Sequence, residues 1–158
     1  MKKFLIAITF IAILTACDKK PQQKEEFAFD KPKVEAVDAN KPSKRIDLVS
    51  KGIGPITEVE LQETIDEELA AEGQAIYQQN CTACHQIGTT FIGPPPNGIL
   101  KRRTPEWVMN MILNTDQMLK QDSLAKDLFM EFNGTVMTSM GLSAADARAV
   151  LEYFRTLE

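Results

Sequence analysis

The residues with the most chemistry in this chain lie within five positions, Cys81-Thr82-Ala83-Cys84-His85. Two thiols separated by two residues can reach neighbouring groups on one edge of a flat ring. The next side chain then lies beneath that ring, where its imidazole can bind a central metal. Cys-x-x-Cys-His is the attachment pattern of a c-type haem, in which the vinyl groups take the thiols and the iron takes the imidazole. Two other chemistries use paired cysteines. A dithiol redox motif belongs at a strand-to-helix junction, and no strand-like alternation precedes Cys81. A structural zinc site needs four ligands, whereas the chain, with three cysteines and one histidine, has no second Cys/His cluster, and the adjacent Cys84 and His85 cannot easily both chelate. A catalytic centre built from several histidines is excluded on the same count. The net charge of −4 offers no basic face for nucleic acid.

The elements that must position these residues read as helices joined by loops, which predicts an all-α domain over 66–158. Glu67 to Gln79 places Leu69, Gly73, Ile76 and Tyr77 on one face at helical spacing. Thr104-Pro105 opens a second helix as N-cap and first-turn proline, with Trp107, Met111 and Ile112 on its buried side. Ser123 to Phe132 aligns Leu124, Leu128 and Phe132 and stops at Asn133-Gly134. A last helix starts at Ser143, with Asp146 completing a capping box. It should bury Ala147, Val150, Leu151, Phe154 and Leu157. Ahead of this domain, 46–65 mixes apolar residues (Ile46, Leu48, Val49, Ile53, Ile56, Val59, Leu61) with Gly52, Gly54 and Pro55. It predicts an extended arm laid against the domain.

The N-terminus is a targeting segment. Lys2 and Lys3 precede a short apolar run to Ala16, too short for a comfortable span and suited to a signal peptide over 1–16. Leu14-Thr15-Ala16-Cys17 resembles the bacterial lipobox, which would make Cys17 an acylated mature N-terminus held on a membrane. In the stretch from Asp18 to Arg45, 14 of 28 residues are charged and prolines recur at 21, 32 and 42. Residues 17–45 therefore form a lipidated, flexible tether, with too little apolar surface to offset ordering.

From Asp66 to Glu158 the chain resembles the class I, mono-haem cytochromes c. Gly73 and Tyr77 match the family's glycine and aromatic ahead of the haem motif, and Tyr153 or Phe154 would be the aromatic of the crossing C-terminal helix. Gly93-Pro94 matches the position whose proline carbonyl holds the ligand histidine. The resemblance implies one covalent haem c on Cys81 and Cys84, with His85 and Met137 as the axial ligands of the iron. Met137 has the family spacing to Leu142-Ser143, although Thr138 stands where proline is usual; Met140 is the alternative. Met109, Met111, Met118 and Met130 read as core fillers or exposed residues.

The remaining features stay open between two readings. Lys101-Arg102-Arg103 is the one basic cluster of the domain, fit for a haem propionate, an acidic partner or a solvated loop. Trp107 reads as core rather than a propionate partner, and Pro94-Pro95-Pro96 as a rigid pocket wall. A His/Met iron has no vacant position, so the resemblance implies an electron carrier and not an enzyme. Its setting would be the periplasmic side of a bacterial membrane, with Asp18 after Cys17 favouring the inner over the outer membrane. A quinol-oxidising complex would stand upstream and a terminal reductase or oxidase downstream. Arg103-Thr104-Pro105-Glu106-Trp107 and the Asn133-Gly134 loop are similar to small cytochromes of nitrous oxide reductase systems. The competing functions are a gas sensor or haem enzyme with an open iron, and a fixed cytochrome subunit of a terminal oxidase.

Overall fold

The computed structural model describes residues 41–158, which lie within one compact unit, Glu35–Glu158. The signal peptide over 1–16, Cys17 and the tether up to residue 40 fall outside the described residues. Five helices follow in order: α1 (Glu67–Asn80), α2 (Pro105–Leu113), α3 (Thr115–Gln121), α4 (Ser123–Glu131) and α5 (Ala144–Arg155). A short 3-10 turn, Ile99–Lys101, lies between α1 and α2. The fold is all-α; among the described residues only two isolated bridges, Asp47 with Arg103 and Gln86 with Thr89, have strand-like pairing.

Local chemistry sets most of the helix ends. Asp66 caps α1 through the Leu69 N–H, Thr104 caps α2 through the Trp107 N–H with Pro105 in the first turn, and Asp122 caps α4 through the Ala125 N–H. Ser143 and Asp146 form a reciprocal capping box on α5. The helix α3 is not expected from the sequence. It is only seven residues long, without a side-chain cap, and it is held by Met118, fully buried, and by the Asn114 amide on the Ile53 carbonyl. Packing makes this helix, since intrinsic propensity cannot support so short a piece.

The core is built on the crossing of α1 and α5. A Cβ added to Gly73 would lie 1.9 Å from the Ala149 carbonyl oxygen, so only glycine permits this approach. The crossing brings Tyr77 against both Tyr153 and Phe154, with ring centroids 5.5 and 5.7 Å away, the latter edge-on. Sequence reasoning asked for one aromatic here, and α5 supplies two. Beside them Glu152 is fully buried. Burial alone would raise its pKa, but the Asp66 N–H and the guanidiniums of Arg148 and Arg155, each 2.6 Å away, together bring it below the ordinary carboxylate range.

The segment before α1 has no helix or ladder, so its carbonyls need other donors. Asn110 donates to the carbonyls of Lys51 and Ile56 and accepts the Ile56 N–H; Arg155 donates to those of Gln62, Glu63 and Thr64. Ile53, Ile56, Val59 and Leu61 pack on the core, whereas Ile46, Leu48 and Val49 point to solvent. There the chain is fixed by backbone pairing, through the Asp47 N–H on the Arg102 carbonyl, and not by burial.

Gly73→Ala should destabilise the protein by about 3 kcal/mol, the upper end for overpacking, because the obstacle is backbone and cannot swing aside. Chemical denaturation of the two proteins measures it; an unchanged midpoint would show that α1 and α5 are free to separate.

Candidate functional site

The end of α1 runs directly into the cysteine motif. The Cys81 N–H donates to the Tyr77 carbonyl and closes the helix; the N–H groups of Cys84 and His85 then fold back on the Cys81 carbonyl at 3.0 and 2.8 Å. This single turn brings both cysteines and His85 into the lining of one cavity. Burial, reinforced by Cys84, pushes the Cys81 thiol up to about 11, so it stays protonated at neutral pH.

His85 is fixed from three sides. Its Nδ1 lies 2.7 Å from the Pro94 carbonyl oxygen. A carbonyl can only accept, so Nδ1 carries the proton and Nε2 keeps its lone pair for a metal. Gly93 packs flat on the ring, where a Cβ would meet Cε1 at 2.5 Å. The Tyr77 hydroxyl donates to the His85 carbonyl at 2.7 Å, a contact that no local pattern in the sequence announces. The Gly93 N–H returns to the Cys84 carbonyl at 2.9 Å and ties the two halves of the loop together.

The same cavity is lined by the loop between α4 and α5. Its ends are firm: the Gly134 N–H caps α4 on the Phe129 carbonyl, and Ser143 starts α5. Between them, both Met137 and Met140 line the cavity; Met137 is half-buried and Met140 is 46 % exposed. Pro94, Pro95 and Pro96 form part of the wall, along with Phe129 and Phe132.

Opposite chemistry appears at Arg102 and Arg103, so the basic cluster divides. Lys101 faces solvent near Glu158, Arg102 is half-buried, and Arg103 is enclosed, with its guanidinium 5.4 Å from the Trp107 ring. Trp107 itself is buried and donates its indole N–H to Asp122 at 3.3 Å. Both Arg Nε atoms are buried without a hydrogen-bond partner, and both side chains line the cavity.

A haem fits these residues. The cavity, about 340 Å³, has mostly apolar walls that suit a porphyrin, both cysteines line it, and a free imidazole nitrogen could bind the iron. The two orphaned guanidinium N–H groups are donors that an anionic carboxylate of the group would satisfy. Among the described residues, no group of three or more His, Cys, Asp and Glu could hold a metal ion by itself.

These observations define a helical protein with a covalently held haem. Residues 70–158 match the cytochrome c family profile, and the chain belongs to that family. Its cofactor is a covalently attached haem c, for which Cys81 and Cys84 have the spacing. A cytochrome c from Rhodothermus marinus is similar over 66% of this chain and 89% of its own, at 43% identity and a TM-score of 0.64. An engineered form of that protein, Rma TDE, is 41% identical over 66% of this chain and 90% of its own, with a TM-score of 0.63. A further structure of the engineered protein, bound to a carbene intermediate, has a TM-score of 0.61. No curated protein matches the chain. Among the described residues, no helix is long and apolar enough to cross a membrane.

Burial raises the Tyr77 phenol to about 12, above its ordinary 10. The neutral form is therefore favoured by folding, and this share of stability is complete below pH 10 and lost as pH rises toward 12. Tyr77→Phe should cost about 1 kcal/mol near neutrality through the lost bond to His85. It should also flatten the alkaline fall in stability, read by denaturant midpoints and tyrosinate absorbance at stepped pH.

Proposed function

We propose that this protein is a lipid-anchored electron carrier on the periplasmic side of a bacterial membrane, passing single electrons to a respiratory reductase of the nitrous oxide reductase kind. Thioethers on Cys81 and Cys84 hold the haem, and His85 and Met137 bind its iron. The haem supplies a one-electron couple. The observation that carries the reading is the His85 Nδ1 bond to Pro94, which frees Nε2 in a cavity that also contains a half-buried methionine.

Each residue then has a task. The Pro94 carbonyl and Gly93 keep the imidazole from rotating, so the ligand set need not rearrange between oxidation states. Met137, on the cavity wall, would serve as the second protein ligand to the iron and keep small molecules off it, which separates a carrier from a gas sensor or an enzyme. The relative with its bound carbene is an engineered protein; in this chain a half-buried methionine in the cavity-lining loop argues for a closed iron. Cys17 supplies the anchor and the charged tether gives the domain reach between donor and acceptor.

The mouth of the cavity suits a brief encounter. Gln86 to Leu100 and Phe132 to Ala145 contain no charged residue in a chain where a quarter of residues are charged. Ile87, Phe91, Ile92, Val136 and Met140 are exposed on these two loops. Small electron-transfer interfaces need only a modest patch, and an uncharged one depends little on ionic attraction.

The reading is tested on the axial ligand. Met137→Ala should abolish the methionine-to-iron charge-transfer band and let the reduced protein bind carbon monoxide, whereas Met140→Ala should change neither. Rapid carbon monoxide binding by the unmutated protein would instead indicate an open iron and a sensor. A second expectation concerns salt: bimolecular electron transfer with a charged redox protein that docks on this patch should vary less than about twofold between low and high ionic strength, against the steep dependence of charge-steered pairs. Stopped-flow mixing reads it, and a strongly falling rate would place the docking surface elsewhere.

A further inference from the structure

Arg103 is 2 % exposed although it carries a guanidinium. Burial, together with the charge of Arg102, lowers its pKa to about 10, so it remains cationic at neutral pH. Its terminal nitrogens are committed to backbone: Nη1 donates to the carbonyls of Arg45 and Arg102, and Nη2 to that of Pro42 at 2.7 Å. Its Nε has no partner, and the side chain lines the haem cavity. An unmet buried N–H is unfavourable, and more so when it belongs to a charged group. The guanidinium is thus gripped by the segment 42–47, while its Nε–H stays unpaired in a side chain that lines the cavity.

That segment is in turn pegged to α4. The Ser43 N–H and hydroxyl donate to the two Glu131 carboxylate oxygens at 2.7 and 2.6 Å, and Arg45 pairs with Asp127 at 2.8 Å. Asp47 completes the grip from the other side through its N–H on the Arg102 carbonyl. Ser43 also lines the cavity beside Arg102 and Arg103, so the segment is wall as well as clamp.

We propose that residues 42–47 are a latch whose closure on Arg103 sets the reduction potential of the haem. The inference rests on the haem reading of the cavity. With the latch closed, Arg103 is a positioning residue that holds a dry positive charge toward a haem carboxylate. Gaining an electron makes the haem group less positive, so a nearby cation favours the reduced form, and the effect grows as the dielectric falls. With the latch open, water reaches the guanidinium and the cavity wall, and the potential drops. The charges framing Arg103 are Arg45 and Arg102 on one side of the balance and Asp47 and Asp122 on the other.

The test is a redox titration of the full-length, haem-loaded protein and its variants. Glu131→Ala, on α4, removes the pegs of Ser43. By charge alone, losing a carboxylate would raise the potential; latch release lowers it, so the sign decides. Ser43→Ala changes no charge and should give a smaller drop. In an Arg103→Gln background, itself lower in potential, Glu131→Ala should produce no further drop. Amide exchange at Asp47 should quicken in Glu131→Ala, reporting the opening itself. An unchanged or raised potential in Glu131→Ala, or an equal drop with and without Arg103, would overturn the latch. Should Arg103→Gln fail to fold, the sign for Glu131→Ala still decides. Failure of the haem reading is distinct, because the unmutated chain would then retain no haem after denaturation.

Discussion

At Gly73 a hydrogen sits where any other residue would place carbon 1.9 Å from the Ala149 carbonyl oxygen, and this approach sets the distance between α1 and α5. The position of Tyr77 follows, since its ring must enter the gap between Tyr153 and Phe154. Its hydroxyl then meets the His85 carbonyl, and the imidazole is presented at the height where the Pro94 carbonyl can take Nδ1. A steric allowance about two helical turns before the cysteines thus reaches the imidazole of His85 through three contacts. Rigid scaffolding of this kind is what a site with a single imidazole needs, because no second histidine can share the task of orientation.

Buried charge does a second kind of work. The extended chain before α1 lacks a ladder, and its carbonyls are met by side chains rooted in the helical domain: Arg103 at its start, Asn110 in the middle and Arg155 at its end. Arg155 can lie there because Glu152 neutralises it, with Arg148 on the other carboxylate oxygen. Such enclosed ion pairs seldom add much net stability. Their value here lies in direction, since a forked guanidinium accepts only chain that passes at the right angle.

Much of this was legible in the sequence because it is written locally. The Cys-x-x-Cys-His turn, the Thr104-Pro105 start of α2, and the Ser143–Asp146 box are decided within a few residues, and helix and fold class follow from them. The helix α3 was not legible, since Met118 and Asn114 stabilise it by touching Ile53, more than sixty positions away. Arg103 was ambiguous for the same reason. Three consecutive basic residues look alike in sequence, and only the carbonyls of Pro42 and Arg45 distinguish the enclosed one from its exposed neighbour Lys101. The two methionines of the α4–α5 loop differ in exposure by an amount that depends on how the loop turns at Gly134, which spacing alone does not encode.

The pairing of α1 with α5 also has a consequence for how the protein is made. These helices sit at opposite ends of the domain, Glu67–Asn80 and Ala144–Arg155, so their contact closes a loop of nearly the whole domain. A chain emerges from synthesis N-terminus first, and the cysteine motif is available well before the helix that braces it. Whatever joins haem to Cys81 and Cys84 early must therefore recognise a short, locally structured peptide. The long-range closure of α1 on α5 is the slower event, because its loop entropy must be met before the contact rewards it.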